Sequence, residues 1–196
     1  MDVLESPLRP RTSHVISGVL VASVLLGGRP GAQSVAAAEL KAAYLLNFAQ
    51  FVEWPALAAP AGTPLALCVV DDNAVGDALE RTVKGRTASG RGLTVRQLNS
   101  GATFPKCHVL YLTGLDLHRS LDAVETAKSL FVLTVSDAAR FAQTGGIVEL
   151  FTENSRMRFA VNVDALQRAR IRLSSRLLTL AKIVRDDDAS GATVNR

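Results

Sequence analysis

The sequence predicts an α/β fold of three layers: a mixed, mostly parallel sheet of about six strands, flanked by helices in a Rossmann-like arrangement. Three observations predict it. Uninterrupted apolar runs of strand length recur at Leu65–Val70 (LALCVV), Val109–Thr113 (VLYLT) and Leu130–Val135 (LFVLTV), which is how strands covered on both faces read. Helical periodicity separates these runs, so parallel neighbours joined by right-handed crossovers are expected. Late in the chain, Ile147–Phe151 and Met157–Val163 flank Glu153-Asn154-Ser155 as a hairpin, which makes the sheet mixed.

The chain opens with the parts of a secretory signal peptide, assigned to residues 1–37. Arg9 and Arg11 form the basic region, and Val15–Leu26 is an uncharged apolar run of 12 residues. A spanning helix needs roughly 20, so length argues against the alternative of an uncleaved anchor. Gly27, Gly28, Pro30 and Gly31 break the run, and Ala36-Ala37-Ala38 offers a cleavage site near Ala37. No cysteine follows directly, which excludes lipid attachment there. The expected location is the bacterial periplasm, with one domain over residues 38–185 and a polar, frayed tail over 186–196.

Within the domain, Ala37–Val52 reads as an amphipathic helix, with Leu40, Tyr44, Leu45, Phe48, Phe51 and Val52 at helical spacing. Trp54-Pro55 ends it, because proline disfavours helical geometry in the residue before it. Residues 56–63 form an Ala/Pro/Gly loop. After the Leu65–Val70 strand, Asp71-Asp72 reads as a turn and cap for a helix over Ala74–Val83. Gly85–Gly92 is a loop and Leu93–Leu98 a strand. Helix Leu117–Ala127 follows the Val109–Thr113 strand, and Ser136 is expected to cap a short helix ending near Phe141 or Ala142. Gly145-Gly146 then breaks the chain before the hairpin. Helices are expected over Ala165–Ala169 and Ser174–Val184.

Charge and inventory exclude several function classes. The formal net charge is +4, about +3 after cleavage, and no Lys/Arg block of the nucleic-acid kind appears. With 48% hydrophobic and 20% charged residues, the chain can bury a core. The acidic pair Asp71-Asp72 is similar to that of phosphoacceptor receiver domains, but Thr113 stands where the phosphoacceptor aspartate would be. Gly85–Gly92 has glycines five apart but lacks the lysine and the following helix of a phosphate loop. His108 and His118 lie ten residues apart and match no metal-ligand pattern, so no metal, cofactor or catalytic residue is expected.

Binding remains. The aromatic residues Tyr44, Phe48, Phe51 and Trp54 are explained by core packing or by a partner surface. The cationic run Arg168, Arg170, Arg172 and Arg176 is explained by a solvated face or by an acidic partner. Asn47, Phe48, Trp54, Arg172 and Arg176 are therefore the candidate partner- or ligand-binding residues. The two cysteines, Cys68 and Cys107, suit an exported protein and read as a disulfide or as two buried thiols. A bridge closing such a loop would stabilise the fold by about 4 kcal/mol in the chain-entropy model.

Several segments carry a resemblance. They are Leu40–Pro55 (LKAAYLLNFAQFVEWP), Leu67–Val70, Gly76–Leu79, Cys107–Tyr111, Leu133–Asp137, Gly145-Gly146, Arg158–Asn162 and Ser174–Ala181 (SSRLLTLA). Together they resemble the YfiR-like periplasmic family over essentially the whole exported chain. The N-F-x-x-F-V-E-W-P and S-S-R-L-L-x-L-A blocks are specific together and weak singly. The resemblance implies a non-enzymatic regulator that binds and inhibits the periplasmic sensor domain of an inner-membrane diguanylate cyclase (a GGDEF protein), lowering cyclic-di-GMP. It further implies sequestration by an outer-membrane lipoprotein, a homodimer, and a structural Cys68–Cys107 bridge. A second cysteine pair of the family's best-known member is missing, so redox gating through that pair does not carry over. Other relatives are associated with sensor kinases, which leaves a small-ligand module serving such a kinase as the alternative.

Overall fold

In the computed structural model, which describes residues 30–99, 106–113, 118, 119, 122, 124, 125 and 131–186, the first helix, α1 (Pro30–Phe51), starts well before the expected Ala37. Proline suits the first helical position, where its missing N–H would be unpaired anyway, and the Ala-rich residues after it are strong helix formers. Residues 33–37 are exposed and Ala38 is buried. The first 29 residues of the expected signal peptide lie outside the described residues. A two-residue strand, β1 (Val52–Glu53), follows α1.

Strand β2 (Leu65–Val70) is buried throughout. Asp71 then turns the chain with φ 56°, and Asp72 accepts the Val75 N–H at 3.0 Å to cap α2 (Asn73–Val83). The expected loop Gly85–Gly92 contains a short strand, β3 (Thr87–Ala88), and β4 (Arg91–Leu98) begins before the expected Leu93. Beyond β5 (Val109–Leu112), the expected Leu117–Ala127 helix is described only at residues 118, 119, 122, 124 and 125, all helical.

After β6 (Leu133–Ser136) the structure departs from expectation. Ser136 caps no helix; it is the last residue of the strand, and residues 137–145 form successive turns and bends. The Ser136 hydroxyl donates to Leu112 O at 2.6 Å and accepts the Ala138 N–H at 3.1 Å. Buried Glu149 takes the Arg140 and Ala142 N–H groups, each at 3.1 Å. Side chains thus satisfy amides that a helix would have used, and Arg140 at φ 68° stops helical propagation.

The hairpin forms as expected from β7 (Val148–Glu153) and β8 (Arg156–Asn162). Asn154 (φ 49°) and Ser155 (φ 59°) make its two-residue turn with both residues left-handed, the geometry whose twist matches the strands. Asn162 caps α3 (Val163–Arg168), accepting the Ala165 N–H at 2.9 Å. Then come β9 (Arg172–Leu173), antiparallel to β1, and α4 (Ser175–Leu178). The expected helix over Ser174–Val184 ends after one turn, and Lys182–Val184 forms strand β10. This segment pairs parallel to β8, Lys182 with Ala160 and Val184 with Asn162, and buries Val184 to 3% exposure. An open sheet edge and two β-branched residues outcompete continuation of the helix. The expected tail boundary also shifts: Asp186 accepts from Asn162 Nδ2 at 2.9 Å and pairs with Arg168.

The sheet therefore has eight strands among the described residues, in the order β10-β8-β7-β6-β5-β2-β4-β3. The two beyond the expected six are the short edge strands β3 and β10. All neighbours pair parallel except β7–β8 and β3–β4. Helices α1 and α2 cover one face, over residues such as Leu67, Val69, Tyr111 and Val135. The other face packs Val70, Leu110 and Leu112 against Val124, Val132 and Phe141, giving the third layer. Cys68 and Cys107 are joined in a disulfide on that second face, with Cα atoms 5.9 Å apart, which ties β2 to the entrance of β5.

Candidate functional site

Tyr44, Phe48 and Phe51 stand at i, i+4 and i+7 of α1 and so share one helical face. That face meets Phe159 of β8. Ring centroids lie 5.9 Å apart for Tyr44–Phe48, 6.0 Å for Tyr44–Phe159 and 5.3 Å for Phe48–Phe159, inside the range of favourable aromatic pairs. The Tyr44 hydroxyl donates to Met157 O at 2.8 Å, so its polar tip is satisfied and its ring is fixed.

A groove of about 620 Å³ lies between α1, β8 and the α4 turn, with Tyr44, Phe51 and the almost wholly buried Phe48 and Phe159 among its lining, within the span of small-molecule sites. Asn47, Arg158 and Arg176 stand at its sides, and Leu177, Thr179, Leu180 and Ala181 complete the wall. Arg158 and Arg176 are exposed, and neither guanidinium has a hydrogen bond or ion pair with any described residue. The described lining holds no carboxylate, imidazole or thiol. Its two hydroxyls are engaged, Tyr44 donating to Met157 O at 2.8 Å and Thr179 to Arg176 O at 2.9 Å.

A second polar cluster sits at the carboxyl ends of the central strands, where such sheets place functional groups. Lys41 of α1 reaches across to Asp137 after β6, with Nζ–Oδ2 at 2.6 Å, and the Thr113 hydroxyl donates to Asp137 Oδ1 at 3.0 Å. Lys41 also lies 5.7 Å from the centre of the Tyr111 ring. Burial alone would lower the Lys41 pKa, but the hydrogen bond to Asp137 outweighs it and holds the ammonium above its usual range. Burial would likewise raise Asp137, and the Lys41 hydrogen bond and charge overrule it, so the carboxylate stays below its usual range. Tyr111 is fully buried and its hydroxyl has no hydrogen-bond partner of good geometry among the described residues. Burial and the charge on Asp137 push its pKa up to about 12. The cluster is an interlayer lock with every charge compensated.

Among the residues singled out from sequence, Asn47, Phe48 and Arg176 meet at the groove. Trp54 does not. It is 9% exposed, stands edge-on to His108 at 5.6 Å, and its buried indole N–H has no hydrogen-bond partner among the described residues. Arg172 is exposed on β9 opposite Glu53, outside the groove lining. His108, expected at a surface or edge, is half-buried. Its Nδ1 accepts the Ala66 N–H at 2.9 Å and its Nε2 faces Ala58 O at 3.2 Å. Burial lowers its pKa, with Arg91 and Arg96 adding to the effect. Arg158, Phe159 and Thr179 were missed as site residues. The alternation of Arg156–Asn162 marks a strand but does not show which helix its end will face. Among the described residues, no group of three or more His, Cys, Asp or Glu is placed to hold a metal ion, and no helix is long and apolar enough to cross a membrane.

A family model described as YfiR/HmsC-like matches residues 38–182. No curated protein matches the chain. Among solved structures, a conserved domain protein from Vibrio cholerae O1 biovar El Tor is similar at 14% identity and a TM-score of 0.46. The match covers 74% of this chain and 59% of that one, so this chain spans less than two thirds of that protein's length.

Proposed function

The chain belongs to the YfiR/HmsC-like family, and from that premise we propose that it is a periplasmic regulator that binds the sensor domain of an inner-membrane diguanylate cyclase and holds the cyclase inactive. The observation that carries this reading is the family match over residues 38–182, which takes in α1 from Ala38 on and the α4 segment. The Cys68–Cys107 disulfide supports the compartment, because such bonds persist in oxidising surroundings. The family is one of regulators and not of catalysts, in keeping with a groove lined for binding. In this reading the first 37 residues are removed on export near Ala37, an outer-membrane lipoprotein sequesters the regulator under envelope stress, and the regulator acts as a homodimer.

Deleting the gene in a strain with the cyclase intact tests the reading. Cyclic-di-GMP rises if the protein is the inhibitor, and an unchanged level overturns it. N-terminal sequencing of protein recovered from the periplasm checks cleavage near Ala37. A second reading, a small-ligand module serving a membrane sensor kinase, is favoured by one observation: the groove is lined by aromatic side chains and by two arginines that no described residue neutralises. Membrane crosslinking separates the two, since the first requires capture of a GGDEF protein.

A further inference from the structure

One imidazole ties together the start of β2, the entrance of β5 and the loop that follows Trp54. Within a parallel ladder the N–H and C=O of a residue face the same neighbour. Ala66 O accepts the His108 N–H at 2.7 Å, so the Ala66 N–H faces that way too. Strand β5 begins only at Val109, and the His108 ring takes this amide instead, its Nδ1 accepting at 2.9 Å. The other ring nitrogen, Nε2, lies 3.2 Å from Ala58 O in the 55–63 loop. Both contacts are satisfied by the neutral ring with its proton on Nε2. Arg91 of β4 donates to the next carbonyl along, Ala59 O, at 2.9 Å. Trp54, the single tryptophan of the chain, stands edge-on to the imidazole.

We propose that His108 is an acid-operated latch: protonation of its ring frees the 55–63 loop, which carries the exposed Leu57, and uncovers Trp54. A second proton can enter the ring only at Nδ1, whose lone pair already holds the Ala66 N–H. Two N–H groups then face each other over a nearly buried amide, a contact that must break. The surrounding charges give the imidazolium no support. Arg91 and Arg96 of β4 are cations, and so is Lys106 on the ring's own segment. Strand β2 offers only the bridged Cys68, while the 55–63 loop and β6 have no ionisable side chain. Glu53, beside Trp54, stands opposite Arg172 of β9. The backbone at residue 108 stays in place, because Cys107 is bridged and the Leu133 N–H donates to His108 O at 2.8 Å. The side chain therefore leaves alone and gives up Ala58 O, and its charge repels the Arg91 guanidinium from the neighbouring carbonyl. Burial, aided by Arg91 and Arg96, sets the transition below the ordinary 6.5, so the latch is closed at neutral pH. It belongs to this chain alone and stands or falls independently of the membrane partner.

Amide hydrogen exchange and tryptophan emission of the purified protein, followed from about pH 7.5 to about pH 4, test the latch. Corrected for the intrinsic pH dependence of exchange, protection of the Ala66 amide should fall about tenfold or more. Trp54 emission should shift to the red over the same range, while far-UV circular dichroism holds steady. His108→Asn keeps an acceptor oxygen near the Nδ1 position and cannot be protonated, so it should abolish both changes. Arg91→Gln removes a cation facing the ring and should move the transition to higher pH. Four outcomes overturn the latch. Ala66 protection and Trp54 emission stay flat; the asparagine variant repeats the parent's transition; emission dims without a red shift while Ala66 stays protected, the mark of a ring protonated in place; or circular dichroism is lost at the same pH, which makes the change global unfolding.

Discussion

Protonation of His108 removes the acceptor that holds the Ala66 N–H, in a setting where burial already disfavours the imidazolium. Its folded pKa lies below the ordinary 6.5, so between the two values the unfolded chain binds more protons. The stability it contributes is therefore full above pH 6.5 and is lost as pH falls through the lowered folded value. Melting temperature measured from pH 7.5 to 5 should decline, and His108→Gln should flatten that decline. Two glycines separate tolerant from intolerant sites. A Cβ on Gly146 would stand 2.2 Å from the ring of fully buried Phe141, which has nowhere to go. Gly146→Ala should cost about 1–3 kcal/mol in denaturant titrations. A Cβ on Gly76 meets only the side chain of Gln97 at 2.5 Å, an exposed group that can swing away, so Gly76→Ala should cost less.

Between elements, the disulfide and the last strand act as fasteners. The bridge spans 39 residues and pins β2 to the entrance of β5. Replacing both cysteines by alanine, which avoids a lone thiol, should lower unfolding free energy by up to about 4 kcal/mol, read by urea titration. Strand β10 seals the β8 edge, buries Val184, and is followed by Asp186, which bonds Asn162 and Arg168. Truncation after Asp186 should leave the melting temperature near the parent's. Truncation after Ala181 should lower it clearly, because it opens a sheet edge and strips Asn162 of one partner. Equal melting temperatures for the two truncations would contradict this role for β10.

Across the whole molecule, the Lys41–Asp137 pair joins the α1 layer to the carboxyl ends of the central strands, from partners 96 residues apart. Lys41 titrates above its ordinary 10.5 and Asp137 below its ordinary 3.8. The lysine's share of stability is thus present below pH 10.5 and lost as pH rises through its folded value. The aspartate's share is present above pH 3.8 and lost as pH falls through its own. Lys41→Met should destabilise by about 2 kcal/mol at neutral pH, since it strands a largely buried carboxylate. The gap to the parent should shrink below pH 3.8, where Asp137 no longer needs a counter-charge.

Much of this architecture is legible in one dimension. Apolar runs such as LALCVV, of strand length and bounded by turn residues, read as strands covered on both faces, and Asn154-Ser155 between alternating segments predicts the hairpin. The cap Asp72 is local, because a short side chain bonding an amide three residues on needs no distant partner. Phe48 and Arg176 were visible as part of an aromatic helix face and a cationic run. Other features depended on what the fold brings alongside. Lys182–Val184 became a strand because β8 offered it an edge, and Ser136 capped no helix because Glu149 took the neighbouring amides. Trp54 and Arg172 left the candidate site for the same reason: one was drawn inward against His108, the other set opposite Glu53. The groove joins α1 to Arg158 and Arg176 over more than a hundred residues of chain, a juxtaposition no local pattern encodes. The sequence by itself determined the fold class, the cysteine pair and the family; tertiary structure decided which aromatic and which arginine side chains face a common space, because that depends on sheet order and edge pairing.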